Sequence, residues 1–449
     1  MERAESGGAS GDVVLDAGRL VSRSREVGDV SFQAFLASRE PPRLQWASPG
    51  GLELAGAGVA AEVTADGPGR FDVVRSAAAT AFADVDANGA NGKAPRPRFV
   101  GGFAFRDDHA PEGTWSGFPA ASFVLPAVQL TRTDDGTWVT VNAYGPDADP
   151  EVVERALDDA VEAVADLPKM RPVGTPPGVR ATRRTTPKEA WTTQVADATE
   201  RIRAGDLEKV VLACALEVDL NGPVDLPDVL ERLRRTYPNC YRFLVQPTED
   251  AGFLGAPPER LVKRTGRRVE TEALAGSVGR GGTPEADAEL AQSLVDSAKI
   301  QHEQRLVVDT ICEQLAGFGE VTEGEQRVRK LDNIQHLQTP ITTELASDVH
   351  VLDIVEALHP TPAVGGLPPA AAARTIRDVE TFERGWYAAP IGWFDATGDG
   401  EFLVAIRSGV AGGDGATLFA GNGIVRDSDP QEEWDEIQLK YRPLLEEFR

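Results

Sequence analysis

A chain of 449 residues, 41% of them hydrophobic, has material for two or three average domains or for one large core. Its net charge of −25 excludes the basic face that nucleic-acid binding requires, and no apolar run approaches the roughly 20 residues of a membrane span. The three cysteines, Cys214, Cys240 and Cys312, are far apart and lack metal-ligand spacing, which suits a reducing cytosol.

Acid is spread along the whole chain, and only eight of the 46 basic residues are lysines. Strong net charge keeps a protein dispersed while salt screens its self-repulsion, so the composition suggests a halophilic cytosol. On such an arginine-preferring surface each lysine stands out. The N-terminus shows no basic segment followed by an apolar one, so export is not expected. The expectation is a cytoplasmic protein with no nucleic-acid or membrane partner, monomeric or weakly dimeric.

Residues 1 to about 28 are rich in Gly, Ser, Asp and Arg and read as a mobile end or an early strand. From Ser31 to about Asp147, strand-like runs at 44–46, 52–54, 99–105, 122–126 and 138–142 alternate with turn clusters. Residues 70–87 read as a helix, 88–97 as a polar, proline-containing loop, and 150–167 as a second helix striped by Val153, Leu157, Val161 and Val164. Residues 168–186 carry four prolines and two glycines and form the best linker candidate. A helix then starts with Thr186 as N-cap and Pro187 at its first position, is striped by Trp191, Val195, Ala198 and Ile202, and ends at Gly205.

The continuous apolar run 209–216 has the character of a strand covered on both faces. A helix at 226–235, strands at 241–245 and 252–255, a hairpin over 263–272 and one long helical region over 284–316 follow. At the C-terminus an apolar strand stops at a Gly421-Asn422-Gly423 turn, and a helix follows. Hairpin-like strands mixed with long helices indicate an α+β fold with antiparallel sheet. The division expected is a β-rich half, 1–180, and a catalytic half, 187–449.

Several residues break the local pattern. Lys209 opens the buried strand, and an amine held in an apolar setting can serve as a base near neutrality; a strand-edge lysine reaching water is the plainer reading. Pro257 and Pro258 force an extended turn that fixes the next carboxylate, Glu259, unless Glu259 merely pairs with Arg260. Glu303 shares a helix face with Ile300, Val307 and Ile311, so its carboxylate points inward and needs a partner, a proton or a metal. In the last helix Glu433, Glu436, Ile437, Lys440 and Leu444 fall on one side, placing charge within the apolar stripe. A solvated Glu436–Lys440 pair is the plainer account of that stripe. With Glu303, these glutamates supply hard oxygens suited to Mg²⁺. Arg407 interrupts an apolar strand and is a candidate fork for a carboxylate. Gly276, Gly421 and Gly423 permit close backbone approach to a ligand. His336 and His359, each taken alone, read as structural.

No one of these motifs decides a function, but the ordered set resembles the chorismate-utilising enzymes, the family of isochorismate, salicylate, anthranilate and aminodeoxychorismate synthases. The resemblance runs from about Lys188 to the end, through Glu208-Lys-Val-Val-Leu212, Glu272-Ala-Leu-Ala-Gly276, Ala405-Ile-Arg407, 420–425 and 433–440, with a weaker likeness at 44–58 and 99–126. It implies the family's fold: large antiparallel sheets in a sandwich-like core with helices outside, the two halves interleaved in one body. It implies Lys209 as the base that activates water for attack at C2 of chorismate, and Glu259 as the acid that protonates the departing C4 hydroxyl. It further implies Mg²⁺ on Glu303 and Glu436 with Glu433 adjacent, substrate carboxylates held by Gly276, Arg407, Gly421, Gly423 and Lys440, and His336 near the ring. Ala275 stands where aminodeoxychorismate synthases carry an attacking lysine, so it leaves room for water and implies isochorismate synthase activity for menaquinone synthesis. Salicylate or anthranilate synthase activity, or non-catalytic chorismate binding, are the alternatives. The chain departs from the family pattern at Pro257, Gln304 and Asn422; the last is expected to narrow the site or to add a hydrogen bond.

Overall fold

The computed structural model describes residues 15–87, 94–331 and 334–449. Of the stretch to about residue 28, read as a mobile end or an early strand, residues 1–14 lie outside the described residues, as do 88–93 of the 88–97 loop, and Arg19–Val27 is a strand. Among the described residues, 21 strands join one continuous hydrogen-bonded network. Every pairing is antiparallel except that of Arg19–Val27 with Val85–Ala87. Strands of the first 180 residues pair directly with strands of the remainder: Arg43–Ala47 with Arg242–Gln246, and Arg98–Phe103 with Pro390–Asp395.

Helices cover this network, and the core fills the space between. Trp115 from the first half stacks on Phe419 from the second at 5.2 Å, and Phe118 meets Phe253 and Trp386 edge-on. Such aromatic pairs add to the burial that joins the two halves. The helix Lys188–Ala204 buries the stripe expected of it and ends at Gly205 with φ +89, a left-handed cap that glycine adopts without strain.

Five local expectations need correction. The 70–87 helix stops at Ala81, and Val85–Ala87 is instead a short strand. The 168–186 segment is not all linker: Val179–Arg184 pairs with Lys209–Leu220. Its sequence, Val-Arg-Ala-Thr-Arg-Arg, shows no apolar face because it is an exposed outer strand, where charge suppresses edge-to-edge association. The N-cap of the following helix is Pro187, while Thr186 is buried and bonds Thr381 at 3.3 Å. The long helix over 284–316 is two, Pro284–Asp296 and Ala298–Leu315, broken where Ser297 turns extended and caps the Ile300 N–H at 3.3 Å. Finally, Gly421-Asn422-Gly423 is no turn. It lies inside the strand Gly415–Ile424, opposite Ala213, Leu212 and Val211.

Candidate active site

All twelve residues given a catalytic, substrate-binding or metal-binding role from the sequence line one cavity of about 340 Å³. They are Lys209, Glu259, Ala275, Gly276, Glu303, His336, Arg407, Gly421, Gly423, Glu433, Glu436 and Lys440. Three of the eight lysines line it as well: Lys209, Lys440 and Lys299, the last not anticipated. Its rarity in this composition was the available signal. Tyr387 and Arg384 also line the cavity and were missed, since neither breaks a pattern that a sequence alone can reveal.

The floor is the antiparallel pair Lys209–Leu220 and Gly415–Ile424. Lys209 is 4% exposed, and its Nζ donates to Glu303 Oε1 at 2.5 Å. Burial raises the Glu303 carboxyl, but the charge and hydrogen bond of Lys209, helped by Lys299 and Lys440, overcome this and hold it below the ordinary range. Arg305, next but one along the helix, points away to Asp309 and Glu323. Beside the Lys209 side chain, a Cβ on Gly423 would sit 2.8 Å from Lys209 Cε and 3.8 Å from Glu303 Oε1. That glycine makes the room in which the amine lies. Gly423→Ala is therefore expected to displace the amine and reduce kcat by about 10²-fold, with the melting temperature little changed; steady-state kinetics beside thermal melts check this.

Glu259 closes another side. Its loop is pinned by backbone bonds from Tyr241 N to Pro257 O at 2.9 Å, Ala256 N to Arg407 O at 3.1 Å and Val404 N to Glu259 O at 3.2 Å. Arg260 turns instead toward Glu270 and Glu401, so it does not neutralise Glu259. Burial, reinforced by the Glu272 charge and opposed by Lys209 and Arg329, pushes the Glu259 carboxyl up to about 7. Such a group carries a transferable proton near neutrality.

A bulge interrupts the pairing of Arg268–Gly279 with Ile334–Leu345 just after Ala275. Gly276 takes φ +63 there, and a Cβ would meet Ile300 at 2.5 Å. The Gly276 carbonyl accepts from His336 Nδ1 at 3.0 Å. Burial, with Arg407, Lys440 and Arg329 adding to it against that hydrogen bond, lowers the His336 ring to about 4, so it is neutral at pH 7. Arg407 adopts φ +53 and neighbouring Ala388 φ +61, a pair of strained residues facing the same space. His359 is structural, bonded to Phe105 O at 3.1 Å. Of the departures, Gln304 is buried and bonds Ala273 O and Thr339 Oγ1, bracing the bulged strand.

The C-terminal helix Pro430–Leu445 supplies Glu433, Glu436 and Lys440 to the cavity. Lys440 Nζ bonds Glu436 Oε1 at 2.8 Å and Gly421 O at 2.9 Å. The stripe is thus a cavity wall, not a solvated face. Glu433 is raised by burial and by Glu436, against hydrogen bonds from Ser428 and Asn422. Among the described residues no three His, Cys, Asp or Glu side chains converge closely enough to cage a metal. Glu303, Glu433 and Glu436 nevertheless bring hard oxygens to one space from two helices. That fits Mg²⁺, which keeps several waters and takes one or two carboxylates together with groups of its ligand.

An interleaved antiparallel α+β body with this acid- and cation-lined cavity defines the class. The chain belongs to the chorismate-binding enzymes: residues 14–449 match the family described as "Chorismate binding enzyme". Among its relatives is the salicylate biosynthesis isochorismate synthase of Pseudomonas aeruginosa, 36% identical over 438 residues, 96% of this chain and 90% of that one. Isochorismate synthase MenF of Bacillus subtilis is 38% identical over 354 residues, 78% of this chain and 74% of that one. The structure of MenF, the menaquinone-specific isochorismate synthase from Escherichia coli, superposes with a TM-score of 0.81 at 27% identity, covering 98% of this chain and 96% of that one.

Proposed function

We propose that the protein is an isochorismate synthase that adds water at C2 of chorismate and expels the C4 hydroxyl, for menaquinone synthesis. The observation that carries this reading is the shared cavity of Lys209, Glu259 and Ala275. A base and a protonated acid line one space, and Ala275, which lines it too, offers a methyl group in place of a competing nucleophile. In its neutral form Lys209 takes a proton from the attacking water; the ring double bonds shift; Glu259 gives its proton to the C4 oxygen, which leaves as water. Arg407 holds a carboxylate of the substrate and Lys440 adds its positive charge to the wall beside it, the backbone at Gly276, Gly421 and Gly423 admits it closely, and neutral His336 orients the ring. Mg²⁺ held by Glu303 and Glu436, with Glu433 adjacent, would supply positive charge to offset the substrate dianion.

The reaction exchanges an oxygen with solvent. In water enriched in ¹⁸O, product formed from unlabelled chorismate gains one heavy oxygen; an unlabelled product, or release of pyruvate, contradicts the reading.

The chain works as one body, with residues 1–180 bracing the cavity built by 187–449. We place it in a salt-rich cytosol on the strength of its charge. Raising KCl to about 1 M shortens the Debye length to about 3 Å, so the melting temperature should climb with KCl over this range; a flat or falling response contradicts the placement. No helix among the described residues is long and apolar enough to cross a membrane.

A further inference from the structure

Asn422 is set between the two glycines of the cavity floor, yet its side chain does not line the cavity. Side chains alternate along a strand, so Gly421 and Gly423 face the cavity while Asn422 faces the other way, toward the C-terminal helix. It is 1% exposed. Its Nδ2 donates to Glu433 O at 2.8 Å and to Glu433 Oε2 at 3.0 Å, and its Oδ1 accepts from Lys440 Nζ.

Glu433 and Lys440 are seven residues apart, about 10.5 Å along a helix at 1.5 Å per residue, too far to pair with each other. One amide spans the gap because its nitrogen donates toward the carboxylate while its oxygen accepts from the ammonium. Lys440 then has three acceptors, Asn422 Oδ1, Gly421 O and Glu436 Oε1, one for each of its hydrogens. A small apolar side chain in place of Asn422 would leave Glu433 Oε2 and one Lys440 hydrogen without these partners, at the buried end of a wall that is otherwise partly exposed.

We propose that Asn422 is a positioning residue that fixes the carboxylates presented by the C-terminal helix, Glu433 directly and Glu436 through Lys440, and so sets the affinity of the cavity for a divalent cation. The inference rests on the cation reading given above. The amide engages one oxygen of Glu433 and Ser428 also bonds this carboxylate; its remaining lone pairs face the cation or a water bound to it. Hydrogen-bond partners of metal-binding carboxylates typically change affinity by about 10- to 100-fold when removed.

The test is a titration of the full chain with Mn²⁺ alone, following free Mn²⁺ by electron paramagnetic resonance, beside kinetics at varied Mg²⁺. Asn422→Ala should weaken Mn²⁺ binding by about tenfold and raise the half-saturating Mg²⁺ concentration by a similar factor. At saturating Mg²⁺ its kcat should stay near wild type. The Glu433→Gln variant should also bind Mn²⁺ more weakly, and adding Asn422→Ala to it should cost clearly less than in the wild-type background, because the direct arm through Glu433 is already gone and only the arm through Lys440 and Glu436 remains. Unchanged Mn²⁺ affinity in Asn422→Ala, or an equal loss in both backgrounds, overturns the proposal. If wild type binds Mn²⁺ no better than Glu303→Gln and Glu433→Gln do, the cation reading itself fails. A loss of kcat at saturating Mg²⁺ with Mn²⁺ affinity intact would mark Asn422 as a packing residue only.

Discussion

Lys209→Ala is expected to lower kcat by about 10³-fold while chorismate binding persists. The amine is buried at the mouth of its strand, and Gly423 leaves the space it occupies. Its removal takes away the group that accepts the proton of water but none of the residues assigned to the substrate carboxylates. Glu303 loses its partner, and because it lies against a cavity, water can take the place of the ammonium. The folded protein should therefore survive, as circular dichroism would verify. Binding is read by tryptophan fluorescence with chorismate, and turnover by product formation. Small primary amines should restore part of the rate by entering the vacated space. A variant that turns over as fast as wild type would remove Lys209 from the role of base.

Glu259→Gln should separate activity from stability. Turnover is expected to drop by about 10²- to 10⁴-fold, the range for loss of a general acid. In the wild type, kcat/KM should fall about tenfold per pH unit above about 7, as the Glu259 proton is lost. The sign for stability follows from the same group. Its folded-state value is raised from 4.5 to about 7, so its favourable contribution is fully present below 4.5 and is lost as pH rises through 7. The rise is about 2.5 units, which at about 1.4 kcal/mol per unit amounts to roughly 3 kcal/mol by pH 8. Glutamine does not ionise and escapes this loss. The variant should melt higher than wild type at pH 8, with the gap closing toward pH 5. A variant that is less stable than wild type at pH 8 would show that Glu259 does not bear an unfavourable buried charge there.

Much of this site was legible in the sequence because its residues violate local rules. Glu303 on an apolar helix face, Lys209 at the head of an apolar strand and the Glu433, Glu436, Lys440 stripe each announce an inward charge. All of them reach one cavity. The antiparallel α+β fold was legible from hairpin-like runs, and the helix over Lys188–Ala204 from its stripe and its glycine cap. What escaped were features set by tertiary partners. Val179–Arg184 lacks an apolar face because it is exposed, and only its pairing with Lys209–Leu220 makes it a strand. Gly-Asn-Gly has the composition of a turn, but backbone partners on the neighbouring strand hold it extended. Tyr387 looks like any aromatic next to apolar neighbours until the cavity is formed around it. The break at Ser297 was readable from Asp296-Ser297 as a cap signal, yet helical residues on both sides concealed it.

The central claim is that water, not ammonia, adds to the ring and that the product is not processed further. The measurement is product analysis by liquid chromatography and mass spectrometry, with purified protein, chorismate and Mg²⁺ in high salt, with and without ammonium. Isochorismate as the sole product, unaffected by ammonium and without pyruvate, is the predicted result. Anthranilate in the presence of ammonium, salicylate with pyruvate, or chorismate left unchanged would contradict it.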